Sequence, residues 1–300
     1  MIDATWIWFG AALGAAAAQT ARNTLQSSLT KTLGALGATL VRFLYGLPFG
    51  LAFCLAASSV AGGLPVPGPA FFFWTVLGGL AQIAATALML AAMRDRSFVV
   101  VTVYTKTELL QIALLGAIVL GDALSGFTFA TIIAASIGVV LASWPKSGAG
   151  SRDFAEFRPA LQGIAAGLMF AFAAIGYRGA TVSLGDDAFY ARAALTLACA
   201  LSVQTLVMMV WFALRDPDRL RAVAAAWRPS LAAGFLGAAA SLGWFVAFSL
   251  TSAANVRLVG LTEIGFAWIV SRKIFGEGLA PREIAGMALI IAAIAALLTV

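Results

Sequence analysis

The chain has no histidine and only two cysteines in 300 residues. Without histidine, an imidazole proton relay and a histidine metal site are both excluded. Cys54 and Cys199 each fall inside an apolar run, which argues against a disulfide or a thiolate metal site. Charge is scarce as well: 11% of residues are charged and only 13 are acidic. A soluble domain carries about 25% charged residues, so a water-soluble globular fold is excluded. No basic patch with interleaved aromatics occurs, so the net charge of +6 does not imply nucleic acid as a partner. No nucleophile–base pair, metal cluster or phosphate loop is recognisable, and there is no large soluble segment. The expectation is a protein that is not an enzyme, with no catalytic residue, no metal and no cofactor. The N-terminal stretch ends in small residues but lacks a basic leader, so it is expected to stay as an uncleaved first helix.

What remains is apolar. Hydrophobic residues make up 62% of the chain, and mean hydropathy is +0.97. A spanning helix needs about 20 apolar residues, and a lipid-exposed backbone must close on itself as helix or barrel. The apolar runs are too long, and alternate too little, for barrel strands. The expected fold class is an all-α polytopic membrane protein of ten transmembrane helices, arranged as two inverted five-helix repeats around a central cavity. The ten segments are Thr5–Ala21, Leu36–Ala57, Ala70–Met93, Phe98–Leu120, Phe127–Trp144, Leu161–Gly179, Ala188–Leu214, Leu231–Leu250, Val256–Ile274 and Ile284–Val300. Residues 1–145 form the first repeat, 146–159 a cytoplasmic linker and 160–300 the second repeat.

Two observations carry the repeat. Shifting the chain by 155 residues brings Glu263 onto Glu108, Thr262 onto Thr107, Gly276 onto Gly121 and Glu277 onto Asp122. Coincident acidic positions are informative in a chain so poor in acids. Basic residues also concentrate in alternate loops: Arg22 and Lys31, Arg94 and Arg96, the linker, Arg215–Arg228, and Arg272 to Arg282. The positive-inside rule makes these loops cytoplasmic and both termini periplasmic in a bacterial-type inner membrane. Five helices is an odd number, so a duplicated unit inserts upside down. Inverted repeats of this kind can alternate between outward-open and inward-open states.

Ionisable residues inside such segments point to function. Tyr104, Glu108 and Gln111 share a helical face: either they line the cavity, or Glu108, like Glu263, is a buried carboxylate paired with a neighbouring arginine; Lys106 points nearly the opposite way. Glu263 is their counterpart. Gln19, Arg22, Asn23 and Gln26 form a polar face at the end of segment one, which is either the cytoplasmic entrance of the cavity or a helix leaving the membrane near Ala18; Gln82 and Asn255 are further candidates. Arg42 and Arg192 either snorkel to headgroups or hold a carboxylate or phosphate. Arg178 and Arg257 are expected near the outer interface. Gly126, Ala130, Ala134, Gly138 and Ala142, like Ala288, Ala292 and Ala296, recur every four residues. Small residues so spaced let helices approach closely, so segments five and ten are expected away from the cavity. Asp216 and Pro217 should open a short surface helix over Arg215–Arg228, with Trp227 at the headgroups.

Ten helices in two halves, with Gly121–Asp122 and Gly276–Glu277 between helices four and five of each half, resemble the drug/metabolite transporter superfamily, EamA type. Arg42 and Arg192 match a basic residue often seen early in the second helix of each repeat of that family. Where many members carry a proline in helices four and nine, this chain has Thr107–Glu108 and Thr262–Glu263. The resemblance implies a central cavity lined by helices one to four and six to nine. It also implies export or exchange of a small metabolite, notably an amino acid. The partners expected are that small-molecule substrate, the lipid bilayer and protons as a candidate coupling ion; the oligomeric state stays open, a monomer being compatible. The alternative is a proton-coupled exporter of lipophilic cations that uses Glu108 or Glu263.

Overall fold

A computed structural model describes residues 4–95, 101, 104–143, 154–275 and 281–297. Every element among them is helical. The helices are α1 Ala4–Leu44, α2 Leu47–Ala61, α3 Pro69–Asp95, α4 Glu108–Leu115, α5 Gly126–Ser143, α6 Phe154–Ser183, α7 Phe189–Arg215, α8 Pro217–Ala225, α9 Trp227–Leu250, α10 Ala253–Val259, α11 Thr262–Phe275 and α12 Pro281–Leu297. A π-helical turn, Gly116–Leu120, extends α4. Five helical stretches are long and apolar enough to cross a membrane: Trp6–Ala61, Pro69–Met93, Leu161–Ser183, Phe189–Arg215 and Trp227–Leu250.

The boundaries differ from the apolar runs in instructive ways. Segment one does not stop at Ala21. The helix continues past Arg22, Asn23 and Gln26 to a kink at Gly34, whose φ of 72° and ψ of 172° no other residue adopts cheaply. Arg22 is therefore an interior residue, 1% exposed, and not a loop cation. Helix α6 begins at Phe154, inside the stretch expected to be linker. The rest of that linker, the loop at residues 96–100 and the Gly276–Glu277 turn lie outside the described residues.

Packing is set by glycines. Gly176 of α6 meets Gly78 of α3 so closely that a Cβ at Gly176 would lie 2.7 Å from the Gly78 Cα. Gly243 of α9 faces Ala11 of α1, and Gly50 of α2 faces Leu201 of α7. Helix α5 packs on α12, where a Cβ at Gly138 would lie 2.8 Å from the Gly286 oxygen. Only part of the expected small-residue stripe serves this contact: Ala130, Ala288 and Ala292 face outward, and the inward face of α12 carries Gly286, Ile290 and Ala293. Helix α4 also packs on α6 and α10, and α1 on α10 and α11.

Each end of the bundle is tied by arginines. At one end, Arg219 Nη1 of α8 donates to the Leu33 oxygen beside the α1 kink, at 3.1 Å. Asp216 caps α8 by accepting from Arg219 N, as expected, with Pro217 at its first position. At the other end, Arg178 donates to the Phe248 oxygen and lies 3.6 Å from Asp122. Arg192 donates to the oxygens of Gly185 at 2.8 Å and Ser249 at 3.2 Å. These oxygens belong to chain ends and turns, where a helix leaves carbonyls unpaired and a cation is favoured.

Candidate functional site

The site is built where two helices break. Before α4, Thr107 N donates to the Tyr104 oxygen at 3.4 Å and Leu109 N to the Lys106 oxygen at 3.2 Å. These are three-residue bonds that tighten the chain into a turn. The same happens between α10 and α11, where Leu261 N donates to the Leu258 oxygen and Glu263 N to the Gly260 oxygen, each at 3.1 Å. Glu108 and Glu263 each occupy the first turn of the helix that restarts. A carboxylate is favoured there by the unpaired amides and the helix dipole.

The two breaks exchange charges. Lys106 Nζ lies 2.9 Å from Glu263 Oε2, both side chains being about 5% exposed. Gln19 Nε2 donates to the other Glu263 oxygen. Trp244 Nε1 in turn donates to Gln19 Oε1 at 3.0 Å. Arg257 Nη1 lies 3.9 Å from Glu108 Oε1, longer than a hydrogen bond. Its guanidinium lies over the Trp244 ring at 5.0 Å and within 5.7 Å of the Phe248 ring. Arg22 donates from Nε, at 3.2 Å, and from Nη2 to a single acceptor, Asn23 Oδ1. Gln19, Arg22, Asn23, Lys106, Glu108, Arg257 and Glu263, together with Met89, Thr105 and Phe170, line a cavity of about 20 Å³. That volume suits about one water. The polar chamber is therefore nearly shut, with its charges turned on one another.

Two further polar clusters adjoin it. Arg42, 2% exposed, donates from Nη1 to Thr86 Oγ1 at 3.1 Å. It flanks Gly237 opposite Arg22: a Cβ there would lie 3.3 Å from Arg22 Cδ and 3.4 Å from Arg42 Cγ. Gln82 Oε1 accepts from Tyr177 OH and from Gln204 Nε2, each at 2.8 Å. This network joins α3, α6 and α7. Among the described residues no group of three or more cysteines, aspartates or glutamates gathers as a metal site.

Of the residues singled out in the sequence, Gln19, Asn23, Glu108 and Glu263 meet around one cavity. Arg42 and Gln82 are buried next to it without lining it. Tyr104 packs against Gly163 of α6, and Gln111 is half-buried along α4; neither lines the cavity. Asn255 donates from Nδ2 to Thr251 Oγ1 at 3.2 Å, close to its own helix start. Arg192 is engaged with the carbonyls described above. Arg22 lines the cavity with Gln19 and Asn23 of the same polar face, while Gln26 does not; Lys106 and Arg257 are the lining residues outside the expectation. Lys106 was expected on the opposite face because an unbroken helical period was assumed; the turn at Lys106–Thr107 resets that period. Arg257 was expected at the outer interface, but it lies inside and only 7% exposed.

No protein-family model matches the chain, and no curated protein does. Among solved structures, 29 chains are similar to it. One crystal structure superposes with a TM-score of 0.71, over 98% of this chain and 95% of its own, at 16% sequence identity. At that identity the likeness is one of fold.

Proposed function

We propose that the chain is a secondary transporter of ten membrane-spanning helices in two inverted five-helix repeats, related to the EamA-type drug/metabolite transporters. It moves a small amphipathic metabolite, an amino acid or a similar zwitterion or organic anion, across an inner membrane by alternating access. The observation that carries this reading is the buried cavity in which a broken helix from each half contributes a glutamate, and in which each glutamate faces a cation from the other half. Discontinuous helices meeting at mid-bundle are how many carriers form a binding site.

The helix pairings support the repeat. Number the bundle by its ten segments: one packs with eight, three with six, two with seven, five with ten, four with six and nine, and nine with one. Exchanging the halves maps this set onto itself. In this reading the Arg219–Leu33 tie lies at the cytoplasmic end and the Arg178 and Arg192 ties at the periplasmic end.

In this mechanism Lys106–Glu263 and Arg257–Glu108 hold the closed state. Removing one partner from a buried pair leaves an uncompensated charge. Opening therefore requires a substrate whose charged groups replace the partner being withdrawn. Binding energy is spent on rearrangement, which couples occupancy to reorientation. The rival reading, a proton-coupled exporter of lipophilic cations, fits less well: the carboxylates it needs are already faced by lysine and arginine. Reconstitution into liposomes tests the proposal. Saturable accumulation or counterflow of at least one small charged metabolite is expected. Failure to move any of a broad panel in either direction counts against it.

A further inference from the structure

Charges in and beside the cavity do not balance. Arg22, Arg42, Lys106 and Arg257 face two carboxylates, Glu108 and Glu263, all of them under 10% exposed. Arg22 and Arg42 both pack against Gly237. Only Lys106 is fully matched, by Glu263 at 2.9 Å. The Arg22 guanidinium is held by a neutral amide, and its Nη1 has no hydrogen-bond partner. The Arg257 Nε also has no partner, and its carboxylate is 3.9 Å away. Arg42 donates to a neutral hydroxyl.

A buried, unmatched guanidinium is costly. It is also an oxyanion site in waiting, since its planar fork matches a carboxylate or phosphate. Arg22 and Arg257 both line the cavity, each with a guanidinium nitrogen that lacks a hydrogen-bond partner, although Arg257 faces Glu108 at 3.9 Å; with Arg42 beside the cavity the local excess is two positive charges. Resting on the carrier reading above, we infer that the substrate is a small organic dianion bearing oxyanion groups, bound by Arg22 Nη1 and Arg257 Nε. A zwitterion would bring as much positive charge as negative and leave the excess uncompensated. A lipophilic cation would add to it.

Three probes separate these possibilities in the full-length protein: succinate, glycerol 3-phosphate and alanine. Binding is read in detergent as a ligand-induced rise in melting temperature, and flux in proteoliposomes. Succinate or glycerol 3-phosphate should bind and alanine should not; which of the two wins separates carboxylate from phosphate chemistry. Arg22→Gln and Arg257→Gln should each weaken dianion binding about ten- to hundredfold, the range for a hydrogen bond to a charged group. The unliganded Arg22→Gln protein should melt at or above the wild-type temperature, because the substitution removes an unmatched buried charge. An arginine that merely supports the fold would give the reverse. Arg22→Lys should restore part of the binding, and the exposed Arg221→Gln should change nothing. Binding or flux of alanine with neither dianion overturns the inference and leaves the carrier intact. Dianion binding without flux supports the inference and removes the carrier. No binding of any probe, or a wild-type binding curve in Arg22→Gln and Arg257→Gln, overturns it.

Discussion

Lys106 and Glu263 form an ion pair of 2.9 Å between two helix breaks that lie 157 residues apart in the chain. Both residues are buried, and each belongs to a different half of the sequence. The pair therefore joins the halves at the place where both backbones lose their regular hydrogen bonding.

The first prediction concerns that pair. Lys106→Met leaves the Glu263 carboxylate buried beside an apolar side chain. A loss of about 3–5 kcal/mol is expected, the usual cost of breaking a buried pair from one side. Adding Glu263→Gln to the same protein should recover most of the loss, since no lone charge remains. Chemical denaturation of both variants in detergent checks the sign. A double variant no more stable than the single would contradict the pairing.

Close helix approach gives the second. Gly176→Ala puts a methyl group 2.7 Å from the Gly78 backbone, and no side chain can move aside to relieve it. Helices α3 and α6 must separate, at a cost of about 1–3 kcal/mol. By contrast, Gly185→Ala meets nothing within 4 Å, although its φ of 76° still strains any other residue. The melting temperature should fall for Gly176→Ala even though the side chain added is the smallest available.

The third concerns the α1 kink. At Gly34, φ is 72° and ψ 172°, a region that is almost glycine-only, and a Cβ would strike Arg219 Nη1. Gly34→Ala should cost about 1–3 kcal/mol and release the α8 helix from the Leu33 carbonyl. Faster proteolysis near Arg219 and Arg221 is the measurement. Unchanged cleavage would mean that α8 is held by other contacts.

Topology supplies the fourth. Val66, 91% exposed, lies in the turn between α2 and α3, at the end of the bundle assigned to the periplasm. Val66→Cys should react with a membrane-impermeant maleimide from outside the cell, and Gly150→Cys only from inside. Labelling of both from the same side would be incompatible with two inverted halves.

Part of the cavity lining is legible in the sequence, and the misplaced residues have separate causes. The duplicated glutamates stood out because acids are rare here, and both do face the cavity. Gln19 and Asn23 were found because a polar face on an apolar helix is hard to explain otherwise. Lys106 is misdirected because a helical period is carried through backbone that is not helical, and Arg257 because it stands at the start of an apolar run that the structure continues back to Ala253. Neither break contains proline, and only the second contains glycine, at Gly260, so the usual punctuation is missing. Arg22 counts both as a loop cation, because the apolar run ends at Ala21, and as part of a polar helical face; the structure bears out the second. The helix continues because its polar groups bond one another and the neighbouring backbone, as when Gln26 donates to the Ala38 oxygen. Hydropathy cannot register satisfaction of that kind.

The idea on which the rest depends is that one polar chamber is reached from each face of the membrane in turn. Met89 lines that chamber, is 4% exposed and carries no charge, so a thiol there disturbs the ion pairs least. In a protein lacking Cys54 and Cys199, Met89→Cys should react with an impermeant maleimide in right-side-out vesicles and in inverted ones, with succinate or glycerol 3-phosphate slowing both reactions. Labelling from one face alone under every condition, or from neither, would contradict alternating access.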